Sequence, residues 1–143
     1  MQEYLDFIGR NPMLAAAWLG LFVALIYTTI RAALSPIKSV GNNEATLLIN
    51  RQNGVVLDVR AQDEFDKGHI AGSVHIPVSQ IEANNVTQIE KHKDAPTIVV
   101  CETGMRAQTA ARALNKSGFK QVFVLRGGLT SWRGDNLPVT KKR

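Results

Sequence analysis

Thr97-Ile98-Val99-Val100-Cys101-Glu102-Thr103-Gly104-Met105-Arg106 decides the fold of this chain. The first four residues are an apolar, β-branched run, the composition of a buried strand. A good helix-forming run, Ala107 to Leu114, follows at once. Between them lies the only cysteine in 143 residues. A strand-to-helix turn presents backbone N–H groups and the positive end of the helix dipole, so it favours an anion. A thiol in such a turn ionises more readily, and the thiolate is its reactive form. Gly104 gives the loop conformational freedom and Arg106 adds a fixed positive charge. A lone cysteine is more often a small buried hydrophobe. The strand end, glycine, arginine and helix start together favour a nucleophile held in its own loop.

Outward from this loop, strands and helices alternate. Val55 to Val59 and Ser73 to Ile76 are strands before it, and Gln121 to Leu125 is a strand after it. Glu44 to Arg51 is a short amphipathic helix, with Asn42 or Asn43 as its cap. Gln62 to Lys67 forms a helical turn, and Ser79 to His92 is mostly helix with a break near Asn84-Asn85. Ala107 to Lys116 is a long helix ended by Gly118, and a last helix contains Trp132. Apolar strands separated by helices imply an α/β domain whose mainly parallel sheet is covered on both faces. In such sheets the site lies beyond the C-terminal strand ends, where Cys101 falls.

Residues 11–30, NPMLAAAWLGLFVALIYTTI, carry no charge. Twenty helical residues span about 30 Å, the thickness of a hydrocarbon core. A cleaved signal peptide would have a shorter apolar region and a basic start, whereas Glu3 and Asp6 precede this one. The expected organisation is a short N-terminal segment at 1–10, a transmembrane helix at 11–31, a tether at 32–37 and one domain at 38–143. Arg31 and Lys38 outnumber Arg10, so the domain is expected on the cytoplasmic side of an inner membrane. A single unpaired cysteine fits a reducing compartment. Small residues at 15–17, 20 and 24 suit helix contacts, yet ordinary lipid-facing packing is the better explanation of them.

The formal charge is +5. Residues 31–143 hold 16 of the 17 Lys and Arg and 10 of the 12 Asp and Glu, and the chain ends Lys141-Lys142-Arg143. A basic domain beside a bilayer is drawn to anionic headgroups, and a solvated basic surface with no partner explains the charge equally well. No nucleic-acid-reading motif accompanies the charge, so no nucleic-acid partner is expected. No CxxC or Cys/His cluster is present, so neither a metal nor another cofactor is expected.

Four pieces, in this order and spacing, closely resemble the rhodanese domain, a family of sulfurtransferases. They are Val55 to Arg60 followed by Glu64-Phe65; Gly68 to Pro77; the loop Cys101 to Arg106; and Val124 to Gly128 with Trp132. The resemblance covers roughly residues 38–138. It implies a rhodanese-like three-layer fold and a cysteine persulfide intermediate. Cys101 is the expected nucleophile, attacking the outer sulfur of a donor such as thiosulfate; a thiol or cyanide then accepts the sulfur. Glu102, Thr103, Gly104, Met105 and Arg106 are the expected active-site loop. Its N–H groups would form an anion-binding nest, and the Thr103 hydroxyl could reach the same sulfur. Two roles are open to Arg106: stabilising the anion, or bracing the loop through a salt bridge. Glu102 opposes anionic donors or faces solvent. Asp58 and Arg60 are expected as structural support, because a carboxylate in an apolar strand needs a partner. His69, His75, Trp132 and Phe119 are expected to be structural, His92 exposed, and Gly127-Gly128 to shape a turn.

Two other functions compete. Related phosphatase and arsenate-reductase loops place five residues between Cys and Arg; here four intervene, which favours one sulfur over a tetrahedral oxyanion. A membrane-tethered module that docks a membrane-protein partner, with little turnover, is the other.

Overall fold

In the computed structural model, which describes residues 1–141, the chain divides into two compact units, Met1–Ser35 and Pro36–Arg143. The last two residues of the C-terminal basic cluster, Lys142 and Arg143, lie outside the described residues.

The first unit holds two helices, α1 (Gln2–Arg10) and α2 (Pro12–Ala33). Pro12 begins α2, where a missing N–H costs nothing. Of the two, α2 alone is long and apolar enough to cross a membrane, judged by length and composition. It ends two residues beyond the expected span of 11–31. α1 was not expected from the sequence. It is amphipathic, and its Phe7 and Ile8 line an apolar hollow with Leu14, Trp18 and Phe22 of α2.

The second unit is built on strands β1 (Lys38–Val40), β2 (Val55–Asp58), β3 (Val74–His75), β4 (Thr97–Val100) and β5 (Val122–Leu125). Among the described residues they form one sheet in the order β1-β5-β4-β2-β3, parallel throughout. β1 carries no strand signal in the sequence; it is a three-residue edge strand that exists by pairing Lys38 with Phe123 and Val40 with Leu125. β4 is central and buried at all four positions, which is why Ile98 to Val100 are apolar and β-branched, with Thr97 the one hydroxyl among them.

Alternate strand residues supply two cores. Leu57, Val99 and Val124 face α5 (Val78–Glu82), a 3-10 turn at Thr87–His92, and α6 (Met105–Lys116). Val56, Ile98, Val100 and Leu125 face α3 (Asn42–Gln52) and α7 (Gly128–Gly134). A further short helix, α4 (Gln62–Lys67), follows β2. The stretch predicted as mostly helix at 79–92 is thus a short α-helix and a 3-10 turn. They are separated at Asn84, which takes φ 59° and interrupts the helical hydrogen bonding.

Leu57 is fully buried in the strand next to β4. Leu57→Ala should lower the unfolding free energy by about 3 kcal/mol, since truncation leaves a cavity as well as losing apolar contact. Urea denaturation of the full chain measures this.

Candidate active site

Val100 is the last residue of β4 and Met105 the first of α6, so Cys101 to Gly104 form the connecting loop. Gly104 takes φ +106°, the left-handed region that favours glycine. Its amide donates to Cys101 Sγ at 3.0 Å, and the amide of Ala107 donates at 3.4 Å. Ala107 is the third residue of α6, so the cysteine sulfur fills the place of a helix-capping acceptor. Of the N–H groups expected between 102 and 106, that of Gly104 reaches the sulfur; that of Ala107 lies one position beyond. Thr103 is exposed. Met105 is exposed too, leaving an apolar side chain beside the loop, while Cys101 itself is 1% exposed.

The loop's other side is clamped by α7. The amides of Leu129 and Thr130 donate to the carbonyls of Cys101 (2.9 Å) and Glu102 (3.1 Å). Gly128, at φ +57°, permits this approach: a Cβ there would collide with the carbonyl oxygens of Cys101 and Glu102.

Charged groups fix the loop laterally. Arg60 is 1% exposed, and its guanidinium donates to both Asp58 carboxylate oxygens at 2.8–3.1 Å, to the Gly68 carbonyl at 2.7 Å and to Glu102 at 3.1 Å. Burial alone would lower the Arg60 pKa; the hydrogen bond and charge of Asp58, then Glu102, carry it above its ordinary value. Glu102 also accepts from Arg133 at 2.7 Å and from the Thr130 hydroxyl at 3.3 Å. Its carboxylate is therefore an anchor joining β2, the loop and α7, and is not simply turned to solvent.

Arg106 is paired as well. It donates to both oxygens of Glu64 on α4 at 2.8 and 2.9 Å. These bonds raise the Arg106 pKa above its ordinary value and hold Glu64 at about 2. The two charged side chains of the loop, Arg106 and Glu102, thus meet opposite charges. In the sequence Glu64 stands out only as part of a motif; its contact with Arg106 spans 42 residues.

The histidines are built into the scaffold. His69 and His75 flank Phe65, with ring centroids 3.8 and 4.6 Å from it. Their side chains bond the Phe65 and Arg60 carbonyls. His92 is half-buried in the 3-10 turn. Among the described residues, no group of His, Cys, Asp and Glu could hold a metal ion.

Two measurements test these links. Asp58→Ala leaves a buried guanidinium short of its main partner, and should cost about 3–5 kcal/mol of stability by denaturant titration. For Glu64 the folded-state pKa lies below the ordinary 4.5, so the folded chain binds that proton less readily. The stabilisation is full above 4.5 and drains away as pH falls towards 2. The melting-temperature difference between wild type and Glu64→Gln should therefore shrink across that window; a constant difference would refute the pairing.

Comparison with known proteins agrees with this architecture. The rhodanese-like domain family matches residues 42–135. The chain is 50% identical over 141 residues to the uncharacterised protein YibN of Escherichia coli, covering 99% of each. It is 31% identical over 96 residues to the thiosulfate sulfurtransferase GlpE of Coxiella burnetii, covering 67% of this chain and 87% of that protein. A rhodanese-related protein of Thermoplasma volcanium superposes with a TM-score of 0.60 at 31% identity, over 73% of this chain and 99% of its own. A thiosulfate sulfurtransferase of Pseudomonas aeruginosa superposes with a TM-score of 0.64 at 25% identity, over 73% of this chain and 20% of its own. The parallel sheet, the cysteine loop at its C-terminal edge and these matches together show that the chain belongs to the rhodanese-like domain family.

Proposed function

We propose that this protein is a sulfurtransferase that carries sulfane sulfur on Cys101, with residues 102–106 as its substrate loop and Asp58 and Arg60 as its support. The observation that carries this reading is the pair of amides, Gly104 and Ala107, aimed at Sγ from the start of α6. They supply fixed positive dipole where negative charge must reside, first on a thiolate and then on a persulfide.

The reaction balances in two steps. The Cys101 thiolate attacks the outer sulfur of thiosulfate; a new S–S bond forms, the old one breaks, and sulfite leaves with the electron pair. Cyanide or a thiolate then attacks the terminal sulfur of Cys101–S–S⁻, and the Cys101 thiolate departs as leaving group. No oxidant or metal enters either step, and the scheme predicts ping-pong kinetics. Burial of Cys101 favours a slender reacting atom, such as a terminal sulfur, over a bulky phosphate. The tie between Arg106 and Glu64 supports a bracing role for this arginine over direct contact with an anionic donor.

We also propose residues 11–31 as a single-pass anchor and 32–37 as a tether, holding the 38–143 domain in the cytoplasm at an inner membrane. The length and apolarity of α2 support the anchor, and Arg31 and Lys38 support the orientation.

Intact-protein mass spectrometry of the full chain after incubation with thiosulfate tests the chemistry. One sulfur atom should be gained, mapped to Cys101, removed by cyanide and absent in Cys101→Ser. No gain by a folded chain would refute the transfer reading and favour a docking module.

A further inference from the structure

All strands of the sheet pair in parallel, so the segments leading into β1, β2, β4 and β5 meet at one end, opposite the Cys101 loop. α3 and α6 run back across the sheet and finish at that same end, just before β2 and β5. These segments carry Lys38, Arg51, Lys91, Lys93, Lys116 and Lys120. They carry two acids, Glu90 and Asp94, which pair with Lys93 (3.5 Å) and Lys120 (2.9 Å). The segments are joined: the Lys120 amide donates to the Lys93 carbonyl, and Lys93 and Lys116 line one surface hollow. Lys38, Arg51, Lys91, Lys116 and Lys120 are exposed. The opposite end is balanced, with Glu64 against Arg106, and Asp58 and Glu102 against Arg60 and Arg133.

We propose that this basic end is a docking surface for anionic lipid headgroups; the inference rests on the reading of α2 as a membrane anchor. Chain connectivity favours lipid as the occupant. α2 finishes at Ala33 and β1 begins at Lys38, so the polypeptide enters the domain at the basic end. The connection, residues 34–37, reaches at most about 14 Å when extended. That is close to the screening length of about 8–10 Å at ordinary ionic strength, within which basic side chains are attracted to an anionic leaflet. Nucleic acid fits less well: Phe119, the aromatic at this end, is buried, so no base could stack there. Docking on this end turns the Cys101 loop to the aqueous phase, so sulfur donor and acceptor reach it from solution.

The test uses the full chain in lipid nanodiscs, with a neutral amine-reactive reagent and peptide mass spectrometry to read each lysine. In discs containing phosphatidylglycerol, Lys38, Lys91 and Lys116 should react about three-fold more slowly than in pure phosphatidylcholine discs, and salt at ~0.5 M should restore them. Lys67, exposed at the opposite end, should not change. The triple variant Arg51→Glu/Lys91→Glu/Lys116→Glu, shown by its melting temperature to be folded, should lose the shielding of Lys38. Equal reactivity in both discs, or shielding that survives the triple variant, overturns the docking. Binding of labelled duplex DNA that the variant abolishes, without shielding in discs, overturns it in favour of nucleic acid. A chain that fails to enter the discs overturns the anchor reading, a result separable by gel filtration from entry without shielding.

Discussion

Arg60 holds the site to the scaffold. Its guanidinium is buried, so each of its donors must find an acceptor inside the protein. It finds Asp58 at the end of β2, two residues before it, the Gly68 carbonyl beyond α4, and Glu102 in the cysteine loop. A planar, permanently charged fork suits this task; a lysine could not reach three groups in fixed directions. Through Glu102 the contact extends to Arg133 and Thr130 on α7. The loop is therefore held from β2, α4 and α7 at once, and the Cys101 sulfur is free to accept amides from α6.

The same loop shows how charge can be present without being available. It contains one acid and one base, and each is committed to a partner outside it. What remains directed at the sulfur is backbone dipole, which needs no side-chain rearrangement as charge develops. Glycine makes this possible at two points: Gly104 turns the loop into α6, and Gly128 lets the first turn of α7 press against the loop carbonyls.

Sheet topology separates two electrostatic environments. Helices that run antiparallel to a parallel sheet return their C-termini to the strand starts, and cations at helix C-termini are favoured by the dipole. Arg51 and Lys116 sit in such last turns. The basic excess seen in the sequence thus gathers at the end where the polypeptide enters the domain, leaving the cysteine end neutral.

By itself the sequence determined the α/β class, four of the five strands, the long apolar helix and the position of Cys101 between β4 and α6. These follow from local signals: β-branched runs, helix-forming runs, glycine breaks and length. Tertiary structure decided the rest. β1 is three residues long and is a strand only because β5 lies beside it. The break near Asn84 is legible in the sequence, but the residues after it form a 3-10 turn, Thr87–His92, where helix was expected. The partners of Arg60, Glu102 and Arg106 lie up to 42 residues away and come together only when parallel strands align their ends. The two roles left open for Arg106 illustrate the limit. Residue type and spacing give a charge its sign and approximate place, but what neutralises it depends on which distant side chain the fold brings within hydrogen-bond reach.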